Sequence, residues 1–434
     1  MTEIKPFRGL HYDPEKAGPM ETLVAPPYDV VDQAERDLLV NNNPHNIFTV
    51  ELPDASRCRG ETDRYRCANT IFSSWIDSGV MVRDGEPAFY IYDIDFESGN
   101  GTYCRRGFIG LVRLADWHER KILPHEKTFD KVTEDRLNLV TATQTQFSPI
   151  FMLYRHSDRV AQLLASAETQ VMPPVKDAFG NTHRMSAVMS PDITRAIEQA
   201  LADSPLYIAD GHHRYTTALR YRDAMLRQCT CQNPDSQPFN YIMTYLVDAE
   251  DPGLIVLPTH RIVRPEGITD WTELRNRAQD LFEITRIEQS PANTEAVCRA
   301  IEKQLSLNPD HLTIGVIADS CAEVWTLKKD KEAAAFSPNI QEPLKKLDVV
   351  LLDDVILRNL LGFDSEAEER NVKFSADPVD AIRNLGQDEM LFFMRPTPVH
   401  QVLDIADQGL TMPHKSTFFY PKILTGMVVN SLKD

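Results

Sequence analysis

Apolar positions recur along this chain in two rhythms, one of period two and one near 3.6, and the rhythms alternate from end to end. Residues 88–97 (AFYIYDIDFE) alternate in polarity, the turn Ser98-Gly99-Asn100-Gly101 follows, and 102–114 reads as the return strand of a hairpin. Upstream, Arg59–Ser78 carries Tyr65, Ala68, Ile71, Phe72, Trp75 and Ile76 on one helical stripe. Ser148–Tyr154 is a buried-strand run, and Asp158–Thr169 a short helix. Ser190 followed by Pro191 opens a helix through Leu201, with serine as N-cap and proline at the first helical position. Leu206–Ala209 is a short apolar strand that breaks at Gly211; from His212 onward Tyr215, Ala218, Leu219, Met225 and Leu226 recur at helical spacing.

Downstream the pattern predicts strands at 240–247 and 254–258 and helices at 269–282 and 293–305. Strands at 312–318 and 322–327, an apolar helix over Asp348–Leu361, a helix near 378–385 and a strand at 389–394 complete it. Interleaved helices and strands predict a mixed α/β (α+β) fold. A chain of 434 residues exceeds what one core usually supports. With the border in the polar stretch Gln232–Gln237, the expected domains are 1–234 and 235–434.

Composition is that of a globular protein, 42% hydrophobic and 25% charged. A net charge of −18 repels polyanions, so a nucleic-acid duplex is not an expected partner. No stretch approaches 18 apolar residues and the first residues hold no apolar signal core, so the expectation is a cytoplasmic protein with no membrane partner. Seven scattered cysteines are not read as a disulfide framework; Cys229-Thr230-Cys231 is the one tight pair, a weak metal signal beside two ordinary thiols.

The common nucleotide and hydrolase signatures are missing: no G-x-x-x-x-G-K-[ST], G-x-G-x-x-G, G-x-S-x-G or H-E-x-x-H. The strongest candidate is Asp210-Gly211-His212-His213-Arg214. Glycine at a strand end permits a sharp turn, and the helix that follows begins with amides no earlier turn can satisfy. With the positive end of the helix dipole, two imidazoles and a guanidinium, the turn suits phosphate. Asp210 at the strand edge could ligate Mg²⁺ or orient a hydroxyl, or it could simply cap the helix while the histidines face solvent. Pro124-His125-Glu126-Lys127-Thr128, followed by Lys131, Asp135 and Arg136, puts a carboxylate at a strand's mouth, as a general base or as a first-turn acid on a surface helix. Lys415-Ser416-Thr417, before the aromatic run to Lys422, is either an anion clamp or a polar turn. Ala25-Pro26-Pro27-Tyr28-Asp29-Val30 reads as a rigid connector, and His260-Arg261 after a strand adds charge to a site or faces solvent.

These segments, with Lys5–Leu10, Glu134-Asp135-Arg136 and Ser148–Phe151, resemble one bacterial and archaeal family, domain of unknown function 1015, from the first residues to the last. Its Asp-Gly-His-His-Arg turn is similar to the phosphate-binding turn of the ParB/sulfiredoxin fold, and most similar to that of the free serine kinases, where Ile122-x-Pro124-x-Glu126 matches the upstream carboxylate motif. The resemblance implies a ParB/sulfiredoxin-like catalytic core with a second α/β domain, and a nucleotide-dependent phosphotransferase acting on a small hydroxyl substrate, free L-serine first. It implies Glu126 as base and Asp210 as its partner or Mg²⁺ ligand. Gly211, His212, His213 and Arg214 would hold phosphates, with His125, Lys415, Ser416 and Thr417 assisting; ATP or ADP and Mg²⁺ are the implied cofactors. The partners are then nucleotide and substrate, with a homo-oligomer compatible. The chain departs from that pattern in the roughly eighty residues between Glu126 and Asp210 and in a C-terminal half without counterpart. The alternative is a non-enzymatic nucleotide-binding regulator of the ParB type.

Overall fold

The computed structural model describes residues 2–58, 61–99, 101–126, 130–266 and 271–433, with the side chains of 130–132 outside the description. It is a mixed α/β chain of two compact units. The first comprises Met1–Pro124, Thr128–Ile255 and Pro421–Asp434; the second comprises His125–Lys127 and Val256–Tyr420.

The first unit is built on a ten-stranded sheet. Its main path runs Val175–Lys176, Thr182–Val188, Phe89–Ser98, Gly101–Arg113, Tyr241–Asp248, Ile150–Tyr154, Leu206–Asp210, Ile122–Leu123. The expected hairpin is there, Ser98 facing Gly101, and its long strands form the sheet's middle. Tyr241–Asp248 runs parallel to Ile150–Tyr154, while Leu206–Asp210 runs antiparallel to it. Central strands buried on both faces read as continuous apolar runs, which is why SPIFMLY was legible. Helices Asp158–Ser166, Pro191–Leu201 and His212–Gln228 pack Val160, Leu164, Ile197, Leu201, Tyr215 and Leu219 into the core with Ile150, Met152 and Ile208. Proline opens the second of these as predicted, though Ser190 makes no side-chain cap.

A second core in this unit gathers Phe72, Trp75 and Ala68 of helix Arg64–Asp77 against Phe48, Ile47 and Phe147. Asp63 caps that helix, accepting from the amides of Tyr65 and Arg66, and Arg59 of the predicted span lies outside the described residues. Cys58 and Cys67 are joined by a disulfide beside it, and Cys229 pairs with Cys231, so four cysteines expected as thiols are bonded. The chain's last segment returns to this unit, Asn430–Ser431 pairing with Thr145–Gln146.

The second unit holds a six-stranded antiparallel sheet in the order Phe282–Ile287, Cys321–Leu327, Thr313–Ala318, Met390–Phe393, His260–Val263, Val372–Ser375. The helix predicted to 282 ends at Gln279, and Phe282 instead starts a strand; 269 and 270 lie outside the described residues. The apolar run after Asp348 continues from Leu351 to Leu360 in widened π-type turns, buried from Leu351 through Leu357. Among the described residues no helix is long and apolar enough to cross a membrane.

Candidate functional site

Strand Leu206–Asp210 slips register against Ile150–Tyr154 between Ile208 and Asp210, so the strand bends just before its end. Gly211 then takes φ 95°, in the left-handed region that favours glycine, and a Cβ there would stand 2.7 Å from Ile150 Cγ2. Both constraints make the residue glycine. Helix His212–Gln228 starts at once, and Tyr215 N–H is bonded back to Gly211 O at 3.0 Å. His212 is buried and His213 half-buried at the helix start.

Arg214 turns back over the glycine. Its Nη2 donates to Asp210 Oδ2 at 3.0 Å and its Nη1 to Pro149 O at 2.6 Å. Burial works against its charge, yet Asp210, Tyr28, Asp29 and Glu51 hold the guanidinium above the ordinary arginine value. The other carboxylate oxygen, Oδ1, accepts from Lys422 Nζ at 3.1 Å. Asp210 therefore sits between two cations at a helix N-terminus, an arrangement that holds both cations in place for an anion.

Lys422 reaches Asp210 because its backbone is fixed on both sides. Arg105 Nη2 donates to Pro421 O at 2.8 Å, and Leu424 N–H donates to Tyr92 Oη at 3.2 Å. Arg105 is fully buried, its guanidinium 4.8 Å from the Phe151 ring and 5.5 Å from that of Tyr245. Phe151 is the register partner of Asp210. Tyr92 also meets His183 Nδ1 at 2.7 Å, and burial holds His183 below the ordinary histidine value against Asp177.

Beside Arg214 lies a wall built partly from residues of two motifs quoted above. Arg136 is buried, donates through Nη1 to Glu51 O at 2.9 Å, and stacks on Tyr28 at 4.6 Å. Tyr28 and Arg136 border a cleft of about 750 Å³ with Arg36, Arg64, Tyr65 and Asp135. Burial opposes the charge of Asp135, but Arg136, Tyr65 and Arg64 hold it below the usual carboxylate range. Tyr28 and Arg136 belong to two of the quoted motifs, which was the available signal; Glu51 had none.

The other two candidate motifs meet inside the second unit. Glu126 bridges to Met412, whose N–H donates to His125 O at 2.8 Å. His414 Nδ1 lies 2.6 Å from Glu126 Oε1, and His125 Nε2 lies 2.9 Å from Thr417 Oγ1. Lys415 has a left-handed φ of 57°, held by Arg261 Nη2 on its carbonyl at 3.1 Å and by Glu126 Oε1 accepting its N–H at 3.4 Å. Buried Ser416 donates to Pro413 O at 2.6 Å. Burial brings the Arg261 guanidinium down to about 10, and it brings buried His260 down to about 4, so His260 is a neutral core residue that accepts from Met394 N–H at 3.0 Å. Lys127 and Thr128 lie outside the described residues, as does the side chain of Lys131.

The fold and turn thus define a mixed α/β protein with a cationic cradle at a strand-to-helix junction. The chain belongs to the family described as a protein of unknown function, DUF1015, whose model matches residues 4–350. No curated protein matches it. Among solved structures it is similar to a free serine kinase in complex with AMP, 12% identical over 71% of this chain and 89% of that one, TM-score 0.34. A C-terminally truncated SbnI from Staphylococcus aureus is 13% identical over 73% and 85%, TM-score 0.36. A conserved hypothetical protein from Pyrococcus furiosus is 13% identical over 70% and 89%, TM-score 0.34.

Proposed function

We propose that this protein is a nucleotide-dependent phosphotransferase with a ParB/sulfiredoxin-like core, acting on a small hydroxyl compound, and that free L-serine is the acceptor to test first. The observation that carries the reading is the Asp210 cradle. One carboxylate orients Arg214 and Lys422 at the N-terminus of a helix, beside Gly211, where a phosphoryl group can approach the backbone. Phosphoryl transfer asks for positioning and charge neutralisation more than covalent chemistry, and these groups supply both.

In the proposed reaction the substrate hydroxyl oxygen attacks the terminal phosphorus of ATP or ADP. A new P–O bond forms, the bridging P–O bond breaks, and the shortened nucleotide leaves with the bond's electron pair. The hydroxyl proton passes to a carboxylate, which the motif resemblance assigns to Glu126. Within the second unit the Oε1 of that carboxylate lies 2.6 Å from His414 Nδ1. Arg214 and Lys422 take up the charge on the transferring group. Both Asp210 oxygens are engaged by these cations, and among the described residues no group of three acidic, histidine or cysteine side chains could hold a metal. The described residues therefore make no all-protein Mg²⁺ site, and a Mg²⁺ would enter with the nucleotide phosphates.

The test is incubation of the full chain with L-serine, Mg²⁺ and ATP, ADP or polyphosphate, with O-phosphoserine as readout. Product that disappears in Asp210→Asn supports the proposal. No product from any donor, with nucleotide bound and left intact in calorimetry, would instead assign the cradle to a nucleotide-binding regulator.

A further inference from the structure

Glu51 is a buried carboxylate to which the proposed reaction gives no task. It closes the short helix Phe48–Glu51 and is 3% exposed. Ser148 Oγ donates to its Oε1 at 2.8 Å, whereas Oε2 has no hydrogen-bond partner among the described residues. Burial pushes the carboxyl above the ordinary glutamate value, and Arg136, the Ser148 hydroxyl, Arg214 and Thr425 work against that rise. Leaving a buried carboxylate oxygen unbonded is costly, so a site that retains one is arranged for a donor that comes from elsewhere.

The carboxylate lines a cavity of about 80 Å³ with Arg136, Ser148, Arg214, Thr217 and Tyr221. A water needs roughly 10–15 Å³ of such space, so the cavity takes a small polar molecule and not a nucleotide. Arg214 borders this cavity and also grips Asp210, so the cavity adjoins the cradle. The lining thus combines a carboxylate acceptor with two guanidinium groups whose charges it feels. An isolated cation would be repelled by that pair of arginines, and an isolated anion by Glu51. A molecule carrying an ammonium and a carboxylate a few bonds apart meets both.

We propose that Glu51 is the substrate-selecting residue of the first unit, its Oε2 accepting from the ammonium of a small zwitterionic hydroxyl compound of the α-amino acid class, with Arg136 and Arg214 facing the carboxylate. This rests on the phosphotransferase reading for its choice of hydroxyl compounds, but it concerns recognition and not transfer. The hydrogen bond involved is charge-assisted, and losing it weakens binding by roughly ten- to a hundredfold.

The experiment titrates the full chain by calorimetry with L-serine, 3-hydroxypropanoate and ethanolamine, which remove the ammonium and the carboxylate in turn. The wild type is expected to bind L-serine at least about tenfold more tightly than either fragment. Glu51→Gln, which keeps size and shape but removes the charge, is expected to lower L-serine affinity and to raise that of 3-hydroxypropanoate, so that the two converge. Glu51→Asp should restore part of the preference, a rescue that a packing role would not produce. A wild type that binds none of the three, or a preference that survives in Glu51→Gln, overturns the inference. Preference that depends on Glu51 without O-phosphoserine formation would refute the transfer reading and leave this one standing; phosphoserine formed with unchanged KM by Glu51→Gln would do the reverse.

Discussion

Gly211→Ala tests the cradle at its narrowest point. Two costs follow from the structure. The left-handed φ of 95° costs an L-residue about 1–2 kcal/mol. The new methyl would stand 2.7 Å from Ile150 Cγ2, about 1 Å inside normal carbon contact, and overpacking of that kind costs about 1–3 kcal/mol. Together they predict a loss of about 2–5 kcal/mol, or roughly 5–15 °C in the melting transition of the first unit. Scanning calorimetry measures the shift, and nucleotide titration should show a parallel loss, because a displaced glycine moves Arg214 off Asp210. The two costs separate in Gly211→Ala/Ile150→Leu. Leucine carries its branch one carbon further out, so the contact share should be recovered while the φ share remains. A single variant that melts within about 1 °C of wild type would show that neither cost is real and would refute the argument for glycine at this turn.

Lys422→Met removes one of the two cations on Asp210 and is expected to weaken nucleotide binding roughly tenfold or more, with a shallower salt dependence in the same titration. Tyr92→Phe leaves the Leu424 N–H without its acceptor, so it should cost about 1–3 kcal/mol in denaturant melts and also weaken nucleotide binding through Lys422. Glu126→Gln breaks the pair with His414 and should abolish phosphoryl transfer while nucleotide still binds; turnover near the wild-type rate would remove Glu126 from the mechanism. Glu51 makes a signed pH prediction. Its carboxyl is raised in the folded chain above the ordinary 4.5, so the folded state keeps a proton the unfolded state has lost as pH rises past that value, and stability falls. Glu51→Gln should therefore gain stability relative to wild type as pH rises above 4.5, and the gain should vanish toward pH 4.5; a difference independent of pH would contradict it.

Local pattern carried much of the first unit. The hairpin 88–114 and strands at 150–154 and 206–210 were legible because central strands are continuous or alternating apolar runs. Short strands such as His260–Val263 and Val372–Ser375 were not, since four residues hold too few repeats of any period to be told from a loop. The helix Asp130–Thr143 was missed for another reason: its apolar positions are sparse among polar ones, and packing against helix His212–Gln228 holds it more than periodicity does.

The sequence by itself determined the Asp210–Arg214 turn. A strand end, a glycine and a helix start are consecutive residues, and a backbone that must turn there needs no distant partner to say so. Tertiary structure alone decided what surrounds it. Lys422 lies 212 positions from Asp210, and its placement depends on Arg105 and Tyr92 reaching across the sheet to the Pro421–Leu424 backbone. Glu51 ends an inconspicuous four-residue helix and became a candidate only when burial removed it from water beside Arg136 and Arg214. Spacing along a chain reports which groups share a turn or a face; which charges are desolvated together depends on contacts between segments far apart, and no local period records those.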